Sequence, residues 1–487
     1  MRIYLIFVQT LEGNNVIPPL GTMYVAAAAR EAGHDVRLLD VDPDEFDVVS
    51  KVQDYEPDVI GLSFMTSEYE KARVLSFELK KILPKTTLCC GGVHPTADPE
   101  SVLRSFDVDF CIKGEGEVSF VEACKRIESG LPYDDVPGVC LLKNDQLIVS
   151  CHPPPVDVNS LPLPARDLVD FSNIYLTFPG VVRGKYVKST IVMAGRGCLY
   201  NCSFCAVHVM FGKRYTLRHP ESVLQEVVYL QETYGVEGIR FQDSTFTSDR
   251  EWSMAFCKEV LRQNVKFVWT CDTRVNCIDE ELLAMMRKAG CIQIDYGLES
   301  GSPKILKTMS KGAKPDTAIA VAEMTRKAGI RVGASFIVGN IDEEEEDLEQ
   351  TFDLAKNVNA DFTVFFFSVP YPGTKLRERA LKKNLIKENV PPYGCQFRFR
   401  ASEYPMISHK LSVETIQAYR SKMQNYFFLR NYLRSNNVII YFHLLWVIFK
   451  NPKATWKSIN NAIRDKRLDS FIENILIAYR KNLYKYY

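Results

Sequence analysis

The sequence predicts an α/β protein made of two successive βα-repeat units followed by a mostly helical region. Short apolar runs alternate with amphipathic helical stretches near the start of the chain and again after residue 188, as parallel sheets require. A proline-rich stretch between residues 153 and 166 separates the two repeats. The 487 residues also exceed what one hydrophobic core usually holds. We therefore divide the chain into residues 1–130, 131–188, 189–372 and 373–487.

Residues 1–130 are expected to form a doubly wound parallel sheet. The predicted strands are 2–8, 35–39, 59–63, 87–90 and 110–112, and the predicted helices are 21–32, 67–83 and 117–127. Ligands of such sheets bind at the carboxyl ends of the strands. Small and turn-forming residues stand there, namely Ser63, Thr66, Gly91, Gly92, His94, Gly114, Glu115 and Gly116. Glycines let the backbone approach a bulky ligand closely, although any such sheet also needs tight turns.

Residues 131–188 are predicted to be a connector. A turn at Asn144 and Asp145 joins two apolar runs and indicates a hairpin. The prolines that follow are incompatible with a helix or a central strand, so this part is expected to be a semi-rigid linker between domains.

Three cysteines follow the next apolar run: Cys198, Cys202 and Cys205. Three thiolates on one short loop can hold three irons of a [4Fe–4S] cluster, whereas a purely structural cluster normally takes a fourth cysteine. A zinc knuckle is the alternative, with His208 as the fourth ligand. The loop lies between a strand and a helix at the mouth of a βα repeat, where barrels place their chemistry, and this position favours the cluster. His208 is then expected near the cluster or the substrate rather than as a ligand.

Downstream of the cysteines the βα alternation resumes. The predicted strands are 190–194, 238–242, 267–271, 292–296, 332–338 and 362–367, which gives six βα units. Polar residues again follow the strands, at the end where a barrel's site is built. The acidic run 342–347 is predicted to begin a helix, because carboxylates favour the exposed amides there.

The cysteine spacing, with the aromatic Phe204 directly before Cys205, resembles the radical S-adenosylmethionine (SAM) family. The first unit looks like the N-terminal cobalamin-binding domain of the class B members of that family. The segments that carry this likeness are Pro18-Pro19-Leu-Gly21, Gly91-Gly92-Val-His94-Pro-Thr and Gly114-Glu115-Gly116-Glu117. The resemblance covers residues 1–370. It implies a Rossmann-like cobalamin-binding domain, then a radical SAM partial (β/α)6 barrel, then a helical C-terminal region.

The resemblance also implies the ligands of three cofactors. The [4Fe–4S] cluster would be held by Cys198, Cys202 and Cys205; SAM by Phe204, Asp243, Ser244, Glu299, Ser300 and Gly339; and cobalamin by Ser63, Thr66, Gly91, Gly92, His94, Gly114, Glu115 and Gly116. Beyond the cluster ligands, the sequence names no catalytic residue. Glu299 could instead cap the following helix, and His94 could stabilise its own turn.

Two segments depart from the family's pattern. Loop 9–19 lacks the histidine of the Asp-x-His-x-x-Gly motif, so the lower face of cobalamin would be unligated, water-bound or met by another side chain. Residues 340–342 replace the usual Leu-Pro-Gly near the adenine of SAM, which leaves the adenine contacts open.

The function implied is methylation of an unactivated carbon. One SAM would be cleaved to a 5′-deoxyadenosyl radical, methylcobalamin would give its methyl group to the substrate radical, and a second SAM would restore it. The alternatives are a non-methylating radical reaction, such as ring closure or dehydration with cobalamin unused or in another role, and an iron–sulfur redox protein without turnover. A methylthiotransferase acting on transfer RNA is disfavoured, because the first unit lacks that family's additional cluster cysteines.

Composition limits the partners and the compartment. Sixty basic residues balance 60 acidic ones, which argues against bulk binding of nucleic acid. We expect a small-molecule or lipid-like substrate and an electron donor such as flavodoxin or ferredoxin. A strand pattern directly after Met1 leads us to expect no signal peptide and a cytoplasmic protein. Residues 450–487 hold nine Lys or Arg against three Asp or Glu, with several aromatics, which is compatible with peripheral membrane contact or with a helical cap on the barrel.

Overall fold

The architecture comes from a computed structural model. It describes residues 1–9, 17–44, 46–151, 155–176, 182, 185, 187–386 and 408–433, together with Phe449 and Trp456.

The first sheet has seven strands in the order β2-β1-β3-β4-β5-β6-β7. Its strands are β1 (Arg2–Val8), β2 (Asp35–Val41), β3 (Val59–Phe64), β4 (Thr87–Gly91), β5 (Phe110–Ile112), β6 (Val139–Lys143) and β7 (Gln146–Val149). The helices are α1 (Leu20–Glu31), α2 (Val48–Tyr55), α3 (Tyr69–Ile82), α4 (Val93–Ala97), α5 (Pro99–Ser105) and α6 (Gly116–Glu128). Strands β1 to β5 pair in parallel, so the predicted doubly wound sheet is confirmed.

The hairpin that the sequence placed in the connector belongs to this sheet. Strand β6 pairs antiparallel with β5, with Cys140 opposite Cys111 and Val139 opposite Ile112. The expected turn is present, since Asn144 and Asp145 both have positive φ angles, of 50° and 62°. The hairpin corrects the boundary at residue 130, because the open edge of β5 needs hydrogen-bond partners that β6 supplies.

The second sheet has six parallel strands in the order β15-β14-β13-β12-β11-β8. They are β8 (Ser189–Val192), β11 (Gly238–Phe241), β12 (Val268–Thr273), β13 (Cys291–Glu299), β14 (Arg331–Val338) and β15 (Phe362–Phe367), while β9 (Gly195–Gly197) and β10 (Tyr215–Leu217) form a separate antiparallel pair. The helices from the connector onward are α7 (Phe171–Ile174), α8 (Val207–Phe211), α9 (Pro220–Tyr234), α10 (Arg250–Arg262), α11 (Glu280–Lys288), α12 (Pro303–Thr308), α13 (Pro315–Lys327), α14 (Glu345–Val358), α15 (Lys375–Lys382) and α16 (Val413–Leu433). Since β8 and β15 lie at opposite edges, the barrel is open, as six units predict.

The acidic run does begin a helix. Glu344 caps α14 in a capping box. Its side chain accepts from the Asp347 amide, and the Asp347 side chain accepts from the Glu344 amide.

The two sheets are not joined by a free linker. One continuous hydrophobic cluster contains side chains of α1, the connector and the barrel, among them Met23, Phe171 and Trp269. Arg166 of the connector is buried and donates to Glu226 of α9 at 2.6 Å. The two units therefore pack as one body, which fixes the ends of one sheet relative to the other.

The C-terminal region is described in part. Helix α16 packs on β15, where Arg420 Nε donates to the Phe365 carbonyl at 2.8 Å and Phe427 is buried. The apolar stretch around residues 438–448 and the basic segment 450–487 lie outside the described residues, apart from Trp456, so the expected membrane contact stays a prediction. Among the helices that the structure describes, none has the length and apolar character needed to cross a membrane.

Candidate active site

The cysteine loop connects β9 to α8 at the carboxyl end of the barrel. The Cys198 amide donates to the Arg214 carbonyl at 3.0 Å, which ties the loop to the segment before β10. Gly197 makes this approach possible, because its φ is 89° and a Cβ there would lie 2.1 Å from the Arg214 oxygen. The glycine before Cys198 is therefore a geometric requirement of the loop.

The far side of the loop is fixed to the barrel. The Ser203 amide donates to the Met309 carbonyl at 2.9 Å, and the Leu376 amide donates to the Ser203 carbonyl at 2.8 Å. These bonds place Cys202 and Cys205 beside the end of α12 and the start of α15.

The three thiols have different surroundings. Cys198 is buried with its sulfur 3.7 Å from Thr245 Oγ1, and Arg274 Nη1 donates to Cys202 Sγ at 3.2 Å. Burial raises the pKa of Cys205 to about 11, so a bound cation is what would hold it as a thiolate. Thiolates are soft ligands suited to iron–sulfur clusters.

His208 has a structural contact that bears on the zinc alternative. Its Nε2 lies 2.8 Å from the Cys198 carbonyl oxygen, to which it donates. Within the described residues, no three His, Cys, Asp or Glu side chains are arranged to hold one metal ion. A [4Fe–4S] cluster needs no such arrangement, because each thiolate binds a separate iron. The donor set fits the cluster, with His208 supporting the loop.

Glu299 lies at the end of β13 in an ion pair. Its Oε1 accepts from Lys311 Nζ at 2.7 Å, and both side chains are buried. A Cβ at Gly297 would lie 2.5 Å from the same oxygen, so the carboxylate folds back over that glycine. The helix-cap alternative is not what the structure shows, since Ser302 caps α12. Lys311 was missed by the sequence analysis.

Asp243 and Ser300 are buried and bond neighbouring protein groups around the site. The Asp243 carboxylate accepts from the amides of Ala194 and Gly195 at 3.0 and 2.5 Å, and burial raises its pKa to about 7. Ser300 is fully buried, with its Oγ 3.0 Å from Thr351 Oγ1. Asp243 thus shapes the turn that leads into the cysteine loop. Ser244, in contrast, is exposed.

Phe204 and the turn after β14 meet at a small apolar cluster. Phe204 packs against Ile341, Leu376, Ala380 and Ile386. Glu343 closes the turn by accepting from the Gly339 and Asn340 amides at 2.5 and 2.9 Å. The cysteine loop and the turn after β14 are therefore neighbours, although their sequence positions are more than 130 residues apart.

A cavity that opens to solvent lies where the two sheets face each other, with about 810 Å³ of space that includes part of this opening. Six of the eight predicted cobalamin contacts line it, namely Ser63, Gly91, Gly92, Gly114, Glu115 and Gly116. The barrel contributes Met193, Arg196, Met210 and Phe211. The carboxyl ends of both sheets thus open into one space.

The cavity wall fits a bulky cofactor with flat apolar parts. It reaches between the sheet and helices α1 and α6, where Leu5, Gly61 and Phe120 line it. A Cβ at Gly21 would meet no atom within 4 Å, so this side of the cavity is open for want of a side chain. Gly92 has a φ of 89°, which glycine adopts readily.

Thr66 and His94 do not line this cavity. His94 Nδ1 lies 3.1 Å from Thr66 Oγ1, and the ring stacks on Phe64 and meets Tyr69 edge-on. Burial lowers the pKa of His94 to about 4, so the ring is neutral near pH 7. This placement corresponds to the turn-stabilising alternative, and the cobalamin contact stays a prediction for these two residues.

One arginine joins the two sets of residues. Arg196 Nη1 donates to Glu115 at 2.8 Å and Nη2 to Glu117 at 2.7 Å, and its guanidinium lies 4.9 Å from the centre of the Tyr24 ring. Arg214 also bonds Glu115. Arg196 stands two residues before Cys198, so the cavity and the cysteine loop are physically connected. The sequence analysis did not predict the contact between Arg196 and Glu115. A signal was present, because each is a single charged residue between two glycines.

Comparison with known families agrees with this arrangement. A family model described as B12 binding domain matches residues 8–123, and one described as Radical SAM superfamily matches residues 192–355. The chain belongs to the class B radical SAM enzymes, which carry a cobalamin-binding domain, and its cofactors are a [4Fe–4S] cluster, SAM and cobalamin. The predicted family, fold class and cofactors are confirmed.

Individual relatives cover most of the chain. An uncharacterised methyltransferase of Pyrococcus horikoshii is 31% identical over 76% of this chain and 80% of its own length. An anaerobic magnesium-protoporphyrin IX monomethyl ester cyclase of Rubrivivax gelatinosus is 28% identical over 74% of this chain and 65% of its own. The structure of the radical SAM methyltransferase TsrM from Kitasatospora setae, solved with cobalamin and a [4Fe–4S] cluster, matches with a TM-score of 0.66 at 19% identity, covering 78% of this chain and 75% of TsrM. That last likeness supports the fold.

Proposed function

We propose that the protein transfers a methyl group from SAM to an unactivated carbon of a small-molecule substrate. The observation that carries the proposal is the cavity shared by both sheets, with Arg196 linking its wall to the cysteine loop. The methyltransferase of Pyrococcus horikoshii supports the choice of reaction, because its similarity extends over both units.

The chain's own residues divide the work. Cys198, Cys202 and Cys205 would hold three irons and leave one for SAM, while the bonds of Ser203 fix the loop. When bound, the cofactors supply the electron, the radical and the methyl-transfer chemistry. The protein aligns them and keeps water and oxygen out. The burial of Cys198 and the packed sheet ends suit that task.

The remaining contacts are part of the same proposal. Phe204, Ser244 and the Gly339 turn would hold SAM, and the buried Glu299–Lys311 pair would present both charges to its polar groups. A low-potential one-electron donor of the flavodoxin or ferredoxin class reduces the cluster.

Ring closure is the second candidate, because the cyclase of Rubrivivax gelatinosus also matches both units. The two reactions differ in what becomes of SAM. Methyl transfer leaves S-adenosylhomocysteine from one SAM and 5′-deoxyadenosine from another, whereas a cyclisation that uses no methyl group leaves only 5′-deoxyadenosine.

The test is product analysis on protein reconstituted anaerobically with iron, sulfide and cobalamin, then given a reductant and SAM. We expect both products, with S-adenosylhomocysteine dependent on cobalamin. Formation of 5′-deoxyadenosine alone would favour the second candidate. Absence of both products from protein with a full iron content would contradict enzymatic radical chemistry.

A further inference from the structure

A buried arginine, Arg274, touches the cysteine loop. Arg274 follows β12 directly and is 5% exposed. Its Nη1 lies 3.2 Å from Cys202 Sγ, a distance at which an N–H donor bonds to sulfur. Since Cys202 is one of the three cluster ligands, this is a hydrogen bond from a permanent cation to a ligand sulfur.

The guanidinium is held in this position from several sides. Nη2 donates to the Lys311 carbonyl, and Nε lies 3.4 Å from Asn276 Oδ1. Its flat face stacks on the Tyr200 ring at 4.0 Å, and the Tyr200 hydroxyl is 2.9 Å from Cys277 Sγ. The N–H that points at Cys202 is therefore fixed before any cofactor binds.

The charge of Arg274 has no carboxylate partner among the described residues, where no Asp or Glu oxygen lies within 4.0 Å of it. Three other buried arginines do have one. Arg166 and Arg218 face Glu226, and Arg196 faces Glu115 and Glu117. A buried cation without a counter-charge is unstable, so the site around Arg274 is built for a negative group, and a thiolate-bound cluster supplies one.

We infer that Arg274 is a positioning residue that sets the reduction potential of the cluster through its bond to Cys202 Sγ. Hydrogen bonds to the sulfurs and the nearby charge are what tune such potentials within a protein. Reduction adds one electron from the external donor and makes the cluster more negative by one charge. A cationic donor stabilises this form more than the oxidised one and raises the potential, which makes reduction by the donor easier.

The inference depends on the cluster and not on methyl transfer, so it can fail while the proposed function stands. The experiment is an anaerobic redox titration of the reconstituted, SAM-free protein, followed by the electron paramagnetic resonance of the reduced cluster. In R274Q the potential is expected to become more negative than in the wild type. In R274K, which keeps the charge but not the forked geometry, it should move in the same direction by less.

The matched control is R379Q. Arg379 is also a cation beside the cysteine loop, but its Nη1 donates to the Thr308 carbonyl at 3.1 Å rather than to a sulfur. This variant is expected to keep the wild-type potential. An equal shift in R379Q and R274Q would mean that general charge, not the bond to Cys202, sets the potential, and would overturn the inference.

A second measurement reads the bond itself. In D2O the N–H that faces Cys202 exchanges, so the reduced wild-type cluster should show a deuterium coupling that R274Q loses. Wild-type potentials and couplings in both R274Q and R274K, at full iron content, would overturn the inference. If R274Q takes up no cluster, R274K decides alone, since a shifted potential supports the inference and an unshifted one refutes it.

Discussion

The cavity of the first unit and the cysteine loop of the barrel differ in what each offers to the cofactor proposed for it. The cavity is lined largely by glycines and apolar side chains, so what it offers is shape and close backbone approach. The loop offers three sulfurs, with the cation Arg274 and the Glu299–Lys311 ion pair nearby, so what it offers is coordination and charge. In the proposed function, one reaction site therefore combines a binding surface with a coordination centre, and Arg196 joins the two.

Replacing Cys202 with Ala should have the largest effect, and this effect should be confined to the cysteine loop. Two thiolates do not hold the cluster, so iron content and 5′-deoxyadenosine formation should fall to background. Cobalamin uptake, measured by cobalt content, should persist because the cavity is untouched.

The matched control for this variant is C277A. Cys277 is near the loop but is not one of its three cysteines. Its sulfur bonds the hydroxyl group of Tyr200. It should load iron normally. A variant of Cys202 that still cleaves SAM would contradict the ligand assignment.

Replacing Arg196 with Met should affect both the cavity and the cysteine loop. The change leaves Glu117 buried without its partner and Glu115 with Arg214 alone, for which we expect a loss of about 3–5 kcal/mol in the free energy of unfolding. Chemical denaturation measures this loss, and cobalt and iron contents should both decline. Arg30→Met is the control, since Arg30 forms an exposed pair with Asp167 that is expected to contribute at most about 1 kcal/mol. Equal losses in the two variants would show that the junction has no special role.

Replacing Gly21 with Leu should affect only the cavity and leave the cysteine loop unchanged. The new side chain would project into open space where cobalamin is expected, lowering its affinity about a hundredfold, or about 2.8 kcal/mol. Equilibrium binding to the apoprotein gives the affinity, and iron uptake should be normal. Gly21→Ala serves as the comparison, because a methyl group in a helix should stabilise the fold by about 0.4–1 kcal/mol and leave most of the cavity free. Unchanged cobalamin affinity in the leucine variant would place the cofactor elsewhere.

Replacing Asp40 with Asn should affect neither cofactor and only the pH dependence of stability. Burial raises the pKa of Asp40 to about 7, and Tyr175 donates to it. Because the folded state holds this proton more tightly than the unfolded state, Asp40 costs stability as the pH rises from about 4 to 7. Thermal unfolding should show a loss of roughly 2 kcal/mol between pH 5 and 8 in the wild type that the asparagine variant lacks. Parallel pH profiles would exclude Asp40 as the source.

The sequence predicted those features of the cavity and of the cysteine loop that depend on residues close together in the chain. The six barrel strands and the cysteine loop follow from short-range patterns, and the structure has them within a few residues of the predicted bounds. The cavity could be anticipated from glycines at strand ends, because a missing side chain is visible in a sequence.

The contacts that could not be predicted are long-range. Nothing local says that Arg196 meets Glu115 and Glu117, that Arg274 reaches Cys202, or that β6 extends the first sheet, since each depends on how distant elements pack. The packing of His94 among aromatic rings is likewise not visible in its motif, and the cobalamin contact predicted for it stays a prediction.

The most direct test of the account is the metal content of the wild-type protein after anaerobic reconstitution with iron, sulfide and cobalamin. We predict about four irons and about one cobalt per chain, together with the absorption of both cofactors. Four irons without cobalt would leave the cysteine loop as assigned and would contradict the claim that the two sheet ends form one site for both cofactors.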